Sequence, residues 1–145
     1  MSALSPFALP SDLLPHREPF LLISEVIELE VGQRCVALWH LRGDELFWPG
    51  HFPGRPTLPG VLMVESLAQT GAYAVLSDAR FAGKLPLFGG VDAARFRRQV
   101  VPGDTLELTV ELGKMSARAG KGHGTARVGG LVACEADLLF VLANR

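Results

Sequence analysis

Strong charge of either sign is missing from this chain. Its 145 residues hold 14 lysines and arginines against 15 aspartates and glutamates, a formal net charge of −1. No large global field therefore draws it to nucleic acid. Cysteine is scarce as well. Cys35 and Cys134 lie in apolar, strand-like stretches without metal-ligand spacing, and they read as buried thiols rather than as a disulfide. Long apolar runs are also absent. The longest, such as Leu138 to Ala143, are far too short to span a bilayer. Met1 to Pro10 has no basic residue and no long apolar run, so it does not read as a signal peptide. A soluble, cytoplasmic protein is the expectation. No repeat, low-complexity tract or linker divides the chain.

Apolar residues are present in quantity, at 48%, enough for the core of one domain spanning residues 1–145. After the proline-broken stretch from Pro10 to Pro19, Phe20 to Glu30 reads as a strand. Val31-Gly32 marks a turn, and Gln33 to Leu41 reads as a second strand with Cys35, Ala37, Trp39 and Leu41 on one face. A helix is expected from about Pro59 to Ser77, apolar on nearly all sides and hence buried. Strands follow at Leu85 to Arg97, Thr105 to Lys114, near Gly124 to Val128, and at Leu131 to Leu142. Strands, one long central helix, then more strands predict an α+β domain with an antiparallel sheet packed on that helix.

Two residues carry the chemistry. His51 lies in the loop Pro49-Gly-His-Phe-Pro-Gly-Arg-Pro-Thr-Leu-Pro-Gly60, whose prolines and glycines specify one path. Glu65 interrupts an otherwise apolar helix, with Gln69 four residues on and hence on the same face. A buried carboxylate is costly without a partner or a task. It is either a satisfied core carboxylate or a functional one. Histidine titrates near neutral pH, and a desolvated glutamate is pushed up towards it, so such a pair divides base and acid roles. Gly60 stands at the helix start, where free N–H groups and the helix dipole favour developing negative charge. The set suits removal of a proton alpha to a carbonyl and loss of a protonated leaving group.

The run from Gly50 to Gln69, Gly-His-Phe-Pro-Gly-Arg-Pro-Thr-Leu-Pro-Gly-Val-Leu-Met-Val-Glu-Ser-Leu-Ala-Gln, resembles the signature of the FabZ family of 3-hydroxyacyl-[acyl-carrier-protein] dehydratases. Leu14 to Leu22 resembles the family's entry segment, and Gly90 to Asp104 its third-strand region. The resemblance implies a hot-dog fold, a sheet wrapped around one long central helix. It also implies a homodimer joined edge to edge, often built into a trimer of dimers, with His51 and Glu65 meeting from different subunits. The related FabA branch, which also isomerises the double bond, carries aspartate at the position of Glu65. By the family mechanism His51 acts on the α-proton, Glu65 assists departure of the hydroxyl, and the Gly60 N–H polarises the thioester carbonyl. Phe52, Leu58 and Leu62 would exclude water, and Gln69 would hydrogen-bond near the site or serve structure alone. No metal or organic cofactor is needed. The acyl-thioester substrate arrives on acyl carrier protein.

Arg80, Lys84, Arg95, Arg97 and Arg98 face only Asp92 as an acid between residues 80 and 98. Arg95, Arg97 and Arg98 are therefore the candidate docking residues for that acidic carrier. His16 and His123 lack ligand spacing, and His16 with Arg17 reads as a structural element of the entry loop. His40 has no argued role. Trp48, Pro49 and Gln99 depart from the family pattern. So does the glycine-rich Ser116 to Gly124, which leaves the strand pairing near residue 120 open. Two other functions compete: a hot-dog thioesterase or acyl-CoA hydratase, and a non-catalytic acyl-binding subunit. Fold alone does not separate them, whereas the motif around His51 and Glu65 favours the dehydratase.

Overall fold

In a computed structural model, residues 6–145 are described. Met1 to Ser5, half of the segment assessed for a leader, lie outside the described residues. A single helical turn, α1 (Pro10–Leu13), leads into an irregular entry segment and then into a hairpin of β1 (Glu25–Glu30) and β2 (Arg34–His40). The first strand starts five residues later than its apolar composition suggests. The reason lies in the backbone of the entry segment, where the Leu22 N–H and the Phe20 carbonyl are both bonded to the Gln69 side chain instead of a neighbouring strand. The turn falls at Val31-Gly32 as expected. Gly32 sits at φ +69° and its N–H donates to the Ala74 carbonyl at 3.2 Å, tying the hairpin to the end of the central helix. Cys35, Ala37, Trp39 and Leu41 are all buried, as the alternation requires.

The central helix α2 spans Gly60–Leu76, with Pro59 as its N-cap rather than its first residue. From Met63 on it is buried almost throughout. Its first turn is not, and Val61 is 71% exposed. The helix crosses the inner face of β2, of β4 (Thr105–Met115), of β5 (Ala119–Val128) and of β6 (Leu131–Ala143). Close approach depends on glycine on both sides. A Cβ on Gly71 would fall 2.5 Å from Phe140 Cζ, and one on Gly124 would fall 3.2 Å from Leu67 Cβ. Side chains at those points would lift the helix off the sheet.

All strand pairs are antiparallel, in the order β1-β2-β4-β5-β6-β3, with β3 spanning Leu85–Phe96. The sheet wraps one long helix, which is the hot-dog arrangement. The glycine-rich segment corrects the expectation of a short strand near Gly124. There β5 runs from Ala119 and is paired on both sides, to β4 and to β6. Gly120, Gly122 and Gly124 alternate inward while Lys121 and His123 face out. The period of two is intact, but glycine adds no hydrophobicity to reveal it. Glycine also gives the Met115 side chain its place there, because a Cβ on Gly120 would overlap the Met115 sulfur and make that side chain move.

Cys35 and Cys134 are free and buried, and burial pushes their thiols up to about 12 and about 11. No helix among the described residues is long and apolar enough to cross a membrane. At the far edge of the sheet, β3 pairs with β6 on one side only, and Leu87, Phe88, Val91 and Phe96 are each more than two-fifths exposed. A long apolar strand with an open edge is a template for another chain.

Candidate active site

The loop before α2 is held by its own backbone. A 3₁₀ turn at Trp48–Gly50 is anchored by the buried Trp48 ring, whose Nε1–H donates to Glu45 Oε1 at 2.7 Å. The Thr57 N–H donates to the His51 carbonyl at 2.8 Å, and Phe52 and Arg55 exchange backbone bonds between them. These contacts bring the His51 ring against Thr57, where Nδ1 lies 2.7 Å from the Thr57 carbonyl oxygen. A carbonyl only accepts, so Nδ1 carries the proton. In the neutral ring the lone pair is then on Nε2. Phe52 is half exposed and stacks on this ring at 4.0 Å.

His51 opens onto a groove of about 520 Å³, lined also by Thr57, Leu58, Gly60, Phe96, Arg97 and Arg98. Leu58 is buried, its N–H bonded to the Val100 carbonyl. Gly60 begins α2, and its N–H has no hydrogen bond among the described residues. A Cβ at Gly60 would sit 2.7 Å from the Phe96 ring, so glycine lets that ring close over the helix start.

Glu65 stands elsewhere. It follows Gly60 by five residues, which is about 7.5 Å along the helix and about 140° around it. Among the described residues no hydrogen bond or ion pair joins it to His51, and it does not line the His51 groove. Its Oε2 accepts from Gln69 Nε2 at 2.9 Å. Gln69 is wholly buried. Its Oε1 accepts from the Leu22 N–H at 2.8 Å, and its Nε2 also donates to the Phe20 carbonyl at 2.9 Å. Every amide atom is thus engaged, and Gln69 both clamps the entry segment and holds one oxygen of Glu65. Desolvation raises the Glu65 carboxyl above its usual range, against the opposing bond from Gln69. Leu62, one turn earlier, lines a second recess of about 820 Å³ walled by Phe20, Leu22, Trp39 and Phe47.

A family model described as a FabA-like domain matches residues 14–137, a span that contains all of these groups. The chain is 53% identical over 133 residues to a protein of Moorella thermoacetica named "3-hydroxyacyl-[acyl-carrier-protein] dehydratase FabZ", covering 92% of this chain and 93% of that protein. This chain belongs to the FabZ branch of the FabA-like family. A Staphylococcus aureus protein of the same name is 52% identical over 132 residues, 91% of this chain and 90% of that one. The fold recurs in a structure titled "The Dehydratase Heterocomplex ApeI:P from Xenorhabdus doucetiae", with a TM-score of 0.82, 21% identity, and coverage of 96% of this chain and 93% of that one. At that identity the likeness speaks for the hot-dog fold alone.

Of the three arginines singled out for docking, Arg97 and Arg98 rim the His51 groove, and all three are exposed. Arg97 does not point inward. It donates to Glu135 Oε2 at 2.7 Å. Among the described residues, Arg95 reaches only the Ala94 carbonyl and Arg98 has no ion pair. Arg80 is committed to Asp78, and Lys84 to Asn144. His40 bridges Glu25 and Thr105, and His123 pairs with Asp137 on the outer face of the sheet.

Three contributors escape the sequence reading. Thr57 sets the His51 tautomer through its carbonyl, an atom that residue identity does not advertise. Gln99, noted there only as a departure from the family, donates to Thr57 Oγ1 at 2.6 Å and braces that residue. His16 divides from its neighbour Arg17. Arg17 does fasten the entry loop, through the Leu14 and His16 carbonyls, but His16 Nε2 lies 3.7 Å from Glu65 Oε2.

Proposed function

We propose that this chain dehydrates 3-hydroxyacyl thioesters of acyl carrier protein to trans-2-enoyl thioesters, in fatty acid synthesis or related acyl-chain building. The observation that carries the reading is the state of His51 in a chain 53% identical to a curated FabZ. Its Nδ1–H is spent on Thr57, and its Nε2 lone pair is left to the groove.

Nε2 takes the α-proton of the substrate. Charge moves onto the thioester oxygen, where the Gly60 N–H and the positive end of α2 meet it without reorganisation. The β C–O bond breaks as Glu65 gives its proton to the hydroxyl, water leaves, and the double bond forms. Glu65 suits the acid role because desolvation keeps it protonated to higher pH than an ordinary carboxyl. Phe52, Leu58 and Leu62 keep bulk water from the reacting atoms.

Among the described residues, His51 and Glu65 share neither a bond nor a groove within one chain. The reading therefore pairs His51 of one subunit with Glu65 of the partner subunit in a homodimer. The open β3 edge supports this arrangement, since its end residue Phe96 also lines the His51 groove. The carrier protein, acidic as a class, would meet Arg97 and Arg98 at the groove rim and Arg95 near the end of β3. A cytoplasmic setting goes with that partner.

The test follows enoyl-thioester absorbance together with free thiol. Dehydration changes the first without the second, whereas a thioesterase releases thiol. His51→Ala and Glu65→Ala are each expected to lose on the order of 10²–10⁴-fold in kcat/KM with the fold retained. Glu65→Gln keeps the shape without an acid proton and is expected to be similarly impaired. Near-normal turnover by either alanine variant would overturn the assignment.

A further inference from the structure

His16 has no place in the mechanism above, yet its surroundings are unusual for a loop histidine. Its side chain is only about one-fifth exposed, as is that of Glu65, and its Nε2 lies 3.7 Å from Glu65 Oε2. Its other ring nitrogen, Nδ1, is buried and has no hydrogen-bond partner among the described residues. A proton on Nδ1 would be a buried donor with nothing to accept it, a costly state. The proton therefore belongs on Nε2, facing Glu65. Burial also lowers the pKa of His16, so the ring is neutral and acts as a donor rather than as a counter-charge.

The groups around Glu65 are few. Gln69 approaches from α2 and His16 from the entry segment, while the Arg17 guanidinium is turned away onto the Leu14 and His16 carbonyls. Both N–H groups converge on the same oxygen, Oε2. Oε1 has no hydrogen bond among the described residues. At 3.7 Å the His16 approach is longer than a hydrogen bond, and catalytic contacts of this kind commonly tighten only when substrate is bound.

We propose that His16 is a positioning residue for Glu65: with Gln69 it holds Oε2, so that the acid proton resides on Oε1 and is presented to the substrate. This rests on the reading of Glu65 as the general acid. The sign follows from the direction of donation. An N–H donor stabilises the carboxylate, so removing it moves the Glu65 titration upward. Activity that needs protonated Glu65 is present below that pKa and is lost as pH rises through it. Without His16 the limb of the rate profile that reports Glu65 shifts to higher pH, while the limb that reports the base stays in place.

The experiment uses the full chain in its native assembly, with His16→Phe to fill the space without a donor and His16→Gln to restore an N–H. Two readouts are taken in the presence of a non-hydrolysable 3-hydroxyacyl thioester analogue and with turning-over substrate respectively. The first is the carbon-13 titration of the Glu65 carboxyl, assigned by its loss in Glu65→Gln. The second is the pH dependence of kcat/KM. Expected is an upward move of about half a pH unit or more in His16→Phe in both readouts, the scale of one weak neutral hydrogen bond, with return towards the native value in His16→Gln. An unmoved carboxyl titration overturns the proposal, and so does a His16→Gln variant that behaves as His16→Phe does. A titration that moves while neither limb does would leave His16 coupled to Glu65 but remove Glu65 as the acid, so the two failures are distinct.

Discussion

Mixing two inactive variants puts the proposed assembly at risk most directly. Consider His51→Ala and Glu65→Ala, each of which leaves every site of its own homodimer without one essential group. If a site takes His51 from one subunit and Glu65 from the other, a mixed dimer holds one doubly damaged site and one intact site. Random exchange at mole fraction p yields mixed dimers as 2p(1 − p), of which one site in two works. The recovered activity therefore follows p(1 − p), reaching about one quarter of the native value at equal mixing and about three sixteenths at three to one. The structure motivates the arrangement because Gly60 and Glu65 lie about 140° apart around one helix, and the His51 groove is lined without Glu65.

The assay mixes the variants under conditions that permit exchange, then measures enoyl-thioester formation. The extent of exchange is read separately by native mass spectrometry with one variant isotopically labelled. The shape of the curve matters as much as its height, since trace contamination by native enzyme would rise linearly and not peak at equal mixing. A flat line near zero, with mixed dimers observed, would place both groups in one chain and refute the reasoning.

Two further outcomes follow from local packing and charge. Gly71→Ala improves helix propensity by about 1 kcal/mol, but its Cβ would meet Phe140 Cζ at 2.5 Å and Val110 Cγ1 at 3.1 Å. Overpacking of this kind costs about 1–3 kcal/mol, so denaturant unfolding is expected to show net destabilisation, and a gain in stability would show that the sheet yields to the helix. Arg98→Glu is expected to raise KM for carrier-protein substrates and reduce the salt dependence of kcat/KM, while leaving a short N-acetylcysteamine thioester nearly unaffected. Arg95→Glu should follow it. Arg97→Glu also sets two carboxylates together at Glu135, so its losses include stability. Equal losses on both substrates with Arg98→Glu would remove the docking role.

The fold was legible wherever side chains carried the period. Leu106, Leu108, Val110 and Leu112 alternate with Glu107, Thr109 and Glu111; the first three are fully buried and Leu112, nearer the strand end, is half-buried. The helix from about Pro59 to Ser77 is offset by one residue at each end. Legibility failed where inward positions are glycine. Gly120, Gly122 and Gly124 keep the alternation of β5 but contribute no hydrophobic signal, and what makes them inward is the space taken by Met115, Val110 and Leu67 from other elements. It also failed at Phe20 to Ser24, an apolar run that composition assigns to a strand. Its Leu22 N–H and Phe20 carbonyl are bonded to Gln69, 47 residues away from Leu22, and a strand is reached first by the Ser24 N–H, at the Leu38 carbonyl. Propensity describes what a segment favours alone, and a long-range side-chain clamp overrides it.

The site divides along the same line between local and distant information. His51, Gly60 and Glu65 stand out because each conflicts with its immediate surroundings: a titratable ring in a rigid loop, a bare helix start, a carboxylate on an apolar helix. Their controls do not. The tautomer of His51 depends on the Thr57 carbonyl, which any residue would supply, and on a loop path closed by backbone bonds. The state of Glu65 depends on Gln69, visible from its spacing, and on His16, which lies 49 positions earlier in a segment without periodicity. A search for groups out of keeping with their neighbours finds reacting atoms. The groups that tune them satisfy ordinary bonding needs and are recognisable only once the chain has brought them within a few ångströms, as Nε2 of His16 is brought to 3.7 Å from Glu65. That asymmetry is why the His16 variants bear directly on the mechanism: they change the Glu65 titration through a group that the run from Gly50 to Gln69, which holds the reacting atoms, does not contain.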